Sequence, residues 1–186
     1  MKKSEIRRLV SSKKAQLSID DVTKLSQQLL HQFSLFDFSS VSTLHLFLPI
    51  NEKKEPDTFI IIEWLSIHYP NVKVIVPRAD FDTSLMTHVV YEGKESLAKN
   101  VFNIVEPQNG ELHSGDIDMV LIPMLAFDKN GFRVGYGKGF YDRFLQGMKT
   151  RKIGLCLFDP VESIDDVNAY DVKMDACVTP TTVYWF

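Results

Sequence analysis

Met119-Val120-Leu121-Ile122 is an unbroken apolar run closed by Pro123. A strand that is apolar on both faces belongs in the interior of a parallel sheet, because helices must cover it on either side. Upstream, Val41–Leu48 (VSTLHLFL) reads as a strand stopped by Pro49, and Val72–Val76 (VKVIV) as another closed by Pro77. Between them, a helix opens at Asp57 or Thr58 and runs to about His68, with Ile61, Ile62, Leu65 and Tyr69 as its apolar face. Two further helices are predicted over residues 4–16 and 20–33. In the second, Ser18 or Asp20 can cap, and Val22, Leu25, Leu29, Leu30 and Phe33 recur at helical spacing. Shorter extended pieces are expected at 84–90 and 101–105, with Glu106-Pro107 and Asn109-Gly110 marking a loop. Downstream of Pro123 come a loop to Gly139, a helix from about Phe140 to Met148, a strand at 153–157 and a final extended segment at 176–185. Strands alternating with helices predict a single α/β domain over residues 1–186. It has three layers, a largely parallel central sheet flanked by helices, and is Rossmann-like in plan.

The chain of 186 residues is 45% hydrophobic, 11% aromatic and 24% charged, a composition that supports a folded core and excludes a disordered or collagen-like chain. Its net charge of −3 gives no sign of a nucleic-acid coat or a polybasic membrane anchor. Apolar runs such as Phe59-Ile60-Ile61-Ile62 are far shorter than the ~20 residues of a membrane helix. The first residues, MKKSEIRRLVSSKKAQLS, lack the apolar stretch of a secretory signal. Cys156 and Cys177 form no C-x-x-C pair and read as buried, reduced thiols. A cytoplasmic protein is expected, with no nucleic-acid or membrane partner. A monomer is expected too, since no exposed apolar seam is visible.

Charge is unevenly placed. Residues 1–14 carry Lys2, Lys3, Arg7, Arg8, Lys13 and Lys14 against Glu5 alone. Residues 128–152 carry seven basic side chains against Asp128 and Asp142, whereas from residue 157 onward six acids face the single Lys173. Two basic clusters in an acidic protein suit one anionic small ligand if folding unites them; otherwise they are solvated helix faces.

Gly135, Gly137 and Gly139 alternate with Tyr136 and Lys138 directly before the predicted helix at 140. Glycine lets backbone N–H groups approach an oxyanion, and a helix N-terminus adds unpaired amides. Open α/β sheets place ligands just beyond a strand's carboxyl end, where this loop falls. Arg133 and Lys138 would neutralise phosphate charge during transfer, and Asp142 could hold a metal on the phosphate oxygens. The run is neither a Walker loop nor G-x-G-x-x-G, so a simple glycine-rich turn stays open as the alternative.

The block Gly131-Phe132-Arg133-Val134-Gly135-Tyr136-Gly137-Lys138-Gly139-Phe140-Tyr141-Asp142-Arg143, preceded by Pro123–Asp128 (PMLAFD), resembles the signature of the 5-formyltetrahydrofolate cyclo-ligase family, also called 5,10-methenyltetrahydrofolate synthetase. Weaker landmarks follow the family's order across the chain: Lys3–Arg7 (KSEIR), Phe47–Pro49 (FLP) with Glu55–Thr58 (EPDT), Val76–Arg78 (VPR) and Asp171–Asp175 (DVKMD). The resemblance implies ATP as cosubstrate, Mg2+, and 5-formyltetrahydrofolate as substrate, with or without a polyglutamate tail. It assigns Lys3, Ser4, Glu5, Ile6 and Arg7 to ATP, with Lys3 and Arg7 as the phosphate-gripping pair and residues 1–35 as a helical part serving that site. Arg133, Val134, Gly135, Tyr136, Gly137, Lys138, Gly139, Phe140 and Tyr141 match the nucleotide loop, and Tyr136 to Phe140 also border the folate. Leu48 and Glu55 match folate contacts, Glu55 accepting from the pterin. Asp142 and Asp175 match the magnesium ligands.

Two departures stand out. Phe140-Tyr141 replaces the family's common Tyr-Tyr, and Asp166–Asp171 (DVNAYD) lacks the Glu and His of the Pro-x-Glu-x-His-Asp run found in bacterial members. The implied chemistry is phosphorylation of the formyl oxygen by ATP, attack of nitrogen-10 on the activated carbon, and loss of phosphate. Phosphoryl transfer of this kind needs charge stabilisation more than a protein nucleophile. The five histidines, His31, His45, His68, His88 and His113, show no ligand spacing and read as surface or core fillers. Two other readings remain: a sugar-phosphate isomerase-like α/β enzyme without ATP, and a non-catalytic folate- or nucleotide-binding protein.

Overall fold

The computed structural model describes residues 1–186. In chain order the elements are α1 (Lys3–Gln16), α2 (Ile19–Phe33), β1 (Thr43–His45), α3 (Phe59–His68), β2 (Lys73–Asp80), β3 (Leu85–Val90), β4 (Leu97–Lys99) and β5 (Val105–Pro107). They continue with β6 (Met119–Pro123), β7 (Ala126–Phe127), β8 (Arg133–Val134), α4 (Phe140–Leu145), β9 (Arg151–Leu155), β10 (Ala176–Val178) and β11 (Val183–Trp185). Seven strands form the main sheet in the order β11-β10-β9-β6-β1-β2-β3. The five inner strands are parallel; β3 and β11 close the two edges antiparallel.

β6 is the central strand its composition requires. Met119 and Leu121 point into the core under α2 and α3, where Leu29, Phe33, Ile61 and Leu65 are buried. Val120 and Ile122 point to the other face, against Phe127 and Leu145 of α4. The three layers follow from this alternation. α2 starts on Ser18, whose hydroxyl accepts from the Asp21 N–H at 3.0 Å while Asp21 accepts from the Ser18 N–H at 2.8 Å. Both cysteines are free and buried, and no helix is long and apolar enough to cross a membrane.

The structure departs from the sequence reading in several places, among them the final segment at 176–185, which is the antiparallel pair β10 and β11 rather than one extended run. β2 passes through Pro77 to Asp80, because beyond the His45–Ile75 rung it is paired only with β3, so the missing N–H costs no bond toward β1. Val101–Asn103, expected to be extended, is a turn between β4 and β5; the Asn100 carboxamide oxygen accepts from the N–H groups of Phe102 and Ile104 at 2.9 and 3.1 Å. The expected loop after Pro123 contains the hairpin β7–β8, turned by Asp128, whose carboxylate accepts from Asn130 and Phe132 N–H at 3.0 Å each. α4 ends at Leu145 rather than Met148, just ahead of Gly147 at φ +75°.

Strand order reverses between β1 and β6: β2 lies outward from β1 on one side, and β9 outward from β6 on the other. Connections leave the sheet in opposite directions there, opening a crevice at the strands' carboxyl ends. Phe47 and Leu48 after β1, Pro77 of β2 and Pro123 of β6 all line one cavity of about 510 Å³ at that crevice.

Candidate active site

Ile6 and Val10 bury themselves against Leu125, Ala126 and Val134, docking α1 on the β7–β8 hairpin. At about 1.5–3 kcal/mol for each large aliphatic side chain, this burial fixes the helix's rotation. Lys3 and Arg7, four residues apart, consequently share the face that meets the cavity. The Arg7 Nε–H donates to the Gly135 carbonyl at 2.9 Å, tying the helix to the glycine-rich loop.

That loop leaves β8 and reaches α4 through two left-handed residues, Gly137 at φ +94° and Gly139 at φ +68°. A side chain is strained at either angle, which explains the glycines on both sides of Lys138. The Arg143 guanidinium braces the same loop by donating to the Lys138 carbonyl and, at 3.1 Å, to the Ser84 carbonyl of the β2–β3 turn. The Lys138 side chain is exposed and its ammonium has no hydrogen bond or ion pair, so its charge is available to an incoming anion.

Arg133 lies deeper, 8% exposed. It donates to the Val172 carbonyl and to Asp142 Oδ1, each at 2.5 Å; Asp142 also accepts from the Val172 N–H at 3.2 Å. Burial pulls the Arg133 pKa down, and the carboxylates of Asp142 and Asp171 oppose that pull. Asp171 faces the cavity from the last long connection and binds Lys3 Nζ at 2.5 and 2.6 Å. Two carboxylates therefore flank one buried guanidinium at the cationic end of the cavity.

At the other end, Glu55 is 5% exposed and accepts from the Ile50 N–H at 2.8 Å. Burial raises its pKa above the usual carboxylate value, against the lowering effect of Ile50, Tyr136, Lys14 and Lys53. The Tyr136 ring is part exposed, but its hydroxyl points inward at Glu55; burial and that carboxylate push its pKa up. Lys53 covers the ring from outside, with Nζ 4.3 Å from the centroid. The wall beside them is apolar: Leu48, Ile50, Phe81, Met86, Ile104 and Phe140, with Phe81 and Phe140 edge to face at 5.4 Å. One cavity thus joins a cationic, oxygen-ligand end to an apolar end carrying a single buried acid.

Most of the residues that the sequence nominates meet here: Lys3, Arg7, Leu48, Glu55, Arg133, Gly135 to Tyr141, and Asp142 all line the cavity. The others do not. Ser4 is exposed away from it, Glu5 accepts from the Lys2 N–H at 2.8 Å as part of the α1 cap, and Ile6 and Val134 belong to the docking core. Asp175, which the resemblance gives to magnesium, does not line the cavity. It precedes β10 at the amino end of the parallel strands, where its carboxylate accepts from the Lys152 N–H at 2.7 Å, at the opposite end of the sheet from the cavity. Asp171, the first acid of the same Asp171–Asp175 run, is the one beside Asp142 and Arg133. Asp142 and Asp171 form an all-oxygen pair suited to a hard divalent cation that takes its remaining ligands from phosphates and water. Lys53, Arg143 and Asp171 are charged site residues that the sequence reading did not assign, and Ile50, Phe81, Met86 and Ile104 of the apolar wall were not assigned either. Two of these had a signal: Arg143 closes the glycine-rich block, and Asp171 ends the Asp166–Asp171 run and opens Asp171–Asp175.

Comparison with known proteins gives a consistent result. A family model described as the 5-formyltetrahydrofolate cyclo-ligase family matches residues 1–180. A relative from Mycoplasma genitalium, named 5-formyltetrahydrofolate cyclo-ligase, is 29% identical over 183 residues, covering 94% of this chain and 97% of the relative. One from Schizosaccharomyces pombe, named probable 5-formyltetrahydrofolate cyclo-ligase, is 26% identical over 202 residues, covering 98% and 97%. The NMR structure of Aquifex aeolicus 5,10-methenyltetrahydrofolate synthetase matches with a TM-score of 0.82 at 29% identity, covering 100% of this chain and 93% of that one.

Proposed function

Because the chain belongs to the 5-formyltetrahydrofolate cyclo-ligase family, we propose that this ligase closes 5-formyltetrahydrofolate to 5,10-methenyltetrahydrofolate, using ATP and magnesium and releasing ADP and phosphate. The observation that carries the reading is the cavity's two-ended character. Lys3, Arg7, Arg133 and Lys138 gather at one end, while an apolar wall and buried Glu55 occupy the other. A nucleotide triphosphate and a folate need these two environments, side by side.

The formyl oxygen of the substrate attacks the γ-phosphorus of ATP, and the bond from that phosphorus to the β-bridging oxygen breaks to release ADP. Nitrogen-10 then attacks the formyl carbon and loses its proton, the carbon–oxygen bond breaks, and phosphate leaves. Glu55 accepts from pterin donors and holds the formyl group toward the loop, while Leu48 and Phe140 exclude water around the ring system. Arg133, held by Asp142 and the Val172 carbonyl, and Lys138, free to move, stabilise charge on the transferring phosphoryl group. Lys3 and Arg7 hold the phosphates at the end of α1. Asp142 and Asp171 would hold magnesium, which supplies charge neutralisation on the phosphate oxygens. An isomerase would instead use a proton-shuttling carboxylate or histidine at the loop. Asp142 and Asp171 there are ion-paired, Glu55 at the other end is occupied by the Ile50 N–H and faces Tyr136, and no histidine lines the cavity. The enzyme is proposed to act in the cytoplasm as a monomer on a small-molecule folate.

The test is to mix the protein with 5-formyltetrahydrofolate and magnesium, with and without ATP, and to follow near-ultraviolet absorbance of the methenyl-bridged folate. The reading requires an increase that depends on ATP. Tight folate or ATP binding without that increase would replace it with a binding-protein reading.

A further inference from the structure

Glu55 stands at the end of a short segment that begins at Ile50 and is neither strand nor α-helix. Asn51–Lys53 make a single 3-10 turn, and Lys54 follows in the left-handed conformation at φ +49°, ψ +50°. Such a segment has no ladder of backbone bonds, yet it must present a buried carboxylate. Its exposed side is tied at Glu52, which accepts from Asn103 Nδ2 at 2.6 Å and Lys99 Nζ at 3.4 Å, and its inner side rests on the far end of α1. The Lys54 ammonium donates to the carbonyls of Lys14, Ala15 and Leu17 at 2.9, 3.0 and 2.7 Å. These oxygens lie in and just beyond the last turn of α1: that of Lys14 also accepts from the Leu17 N–H at 3.1 Å, while those of Ala15 and Leu17 are past the reach of the helix's own N–H groups. The contact is reciprocal: Lys14, 6% exposed, donates from Nζ to the Lys53 carbonyl at 3.2 Å. The helix ends on the segment's lysine, and the segment rests on the helix's lysine.

α1 therefore reaches both ends of the cavity. Lys3 and Arg7 serve its cationic end from the first two turns, and Lys54 grips the helix at Lys14 to Leu17, some 11 residues or about 16 Å further along. We propose that Lys54 is a positioning residue for the folate end: its threefold bond to the carboxyl end of α1 sets the 50–55 segment so that Glu55 faces the substrate. This rests on the reading of Glu55 as the folate's acid. Lys54 does not line the cavity and touches no substrate in this account. Its effect travels only through the segment it pins.

The experiment compares steady-state kinetics of the full chain and three variants, with either substrate varied. Lys54→Met keeps the apolar stem and removes the ammonium; Lys54→Arg restores a cation able to reach the same carbonyls; Glu55→Gln tests the underlying reading. The expected result for Lys54→Met is a KM for 5-formyltetrahydrofolate about tenfold or more higher, from loss of a multiply bonded charged donor. The KM for ATP and kcat should stay within about twofold, and Lys54→Arg should recover most of the loss. If Lys54→Met does not fold, Lys54→Gly, which accepts the left-handed angle without strain, is read in the same way. An unchanged folate KM in a folded Lys54 variant, or equal loss toward ATP and folate, would overturn the proposal. An active wild type in which Glu55→Gln leaves the folate KM unchanged would instead overturn the reading of Glu55, and wild type without turnover the reading of the enzyme.

Discussion

The Lys3 ammonium and the Asp171 carboxylate, 168 positions apart in the chain, form an ion pair at 2.5 Å with both side chains 14% exposed. One partner is the cation assigned to the nucleotide phosphates, and the other is an acid beside Arg133 and Asp142. Binding of a phosphate with its divalent cation would divide this pair cleanly, Lys3 turning to phosphate oxygen and Asp171 to the metal. Asp171→Asn should therefore raise the magnesium concentration needed for half-maximal activity by about tenfold or more, as expected for loss of one of two protein carboxylates. Titrating magnesium at fixed ATP measures it. If Asp171 only neutralised Lys3, the variant would bind ATP more tightly and keep its magnesium requirement.

Asp175→Asn gives the matching contrast. Its carboxylate accepts from the Lys152 N–H at the opposite end of the sheet. The magnesium requirement should not move, and stability should fall by no more than about 1 kcal/mol, the net worth of one hydrogen bond. A shift in the magnesium titration would restore Asp175 to the metal site.

Lys138 is exposed and unpaired, so truncating it leaves no buried orphan and should leave the melting temperature unchanged. Lys138→Ala is expected to lower kcat by about 100-fold or more, the usual scale for removing a charge-stabilising donor. Wild-type turnover at saturating ATP would show that the lysine does not stabilise the transferring phosphoryl group.

Burial raises the Glu55 pKa above the ordinary carboxylate value. As acceptor for pterin donors the side chain must be ionised, so kcat/KM for the folate should fall as pH drops through that raised value, before an exposed carboxylate would titrate. Glu55→Gln should abolish this limb of the profile and lower kcat/KM throughout. A limb that persists in the variant would belong to another group.

How legible the molecule is in its sequence varies with the length scale of the signal. The run at 119–122 is apolar on both faces because it occupies the middle of a parallel sheet, and the spacing in α2 matches the face it buries. The β7–β8 hairpin, two residues to a strand, is too short to display any alternation; a side-chain turn at Asp128 makes it. The glycine-rich loop is legible because positive φ restricts the residue type. Asp171 and Asp175 are not separable by composition, since only the start of β10 at Ala176 determines which acid falls at which end of the sheet. Bonds from Lys54 to the end of α1 leave no trace in local sequence, because they join segments nearly 40 positions apart.

His45 illustrates the same limit. Fully buried on β1, edge to face with His88 at 5.1 Å, it has no hydrogen bond on either ring nitrogen, and burial holds its pKa well below the usual histidine value. The unfolded chain therefore binds a proton below about pH 6.5 that the native state resists, so stability decreases as pH falls through that point. Each such histidine steepens the loss by up to about 1.4 kcal/mol per pH unit. Denaturant midpoints at neutral and mildly acidic pH should show a smaller decrease in His45→Leu than in the wild type. Equal decreases would mean that His45 is not held neutral.

The most direct test of the whole account follows the formyl oxygen itself. With that oxygen isotopically labelled in 5-formyltetrahydrofolate, mass spectrometry of the inorganic phosphate released in a single turnover reports where it goes. Phosphorylation of the formyl oxygen followed by ring closure places the label quantitatively in phosphate. Unlabelled phosphate, with the label appearing in water, would mean that ATP is cleaved without activating the formyl group and would contradict the assigned roles of the cationic end of the cavity.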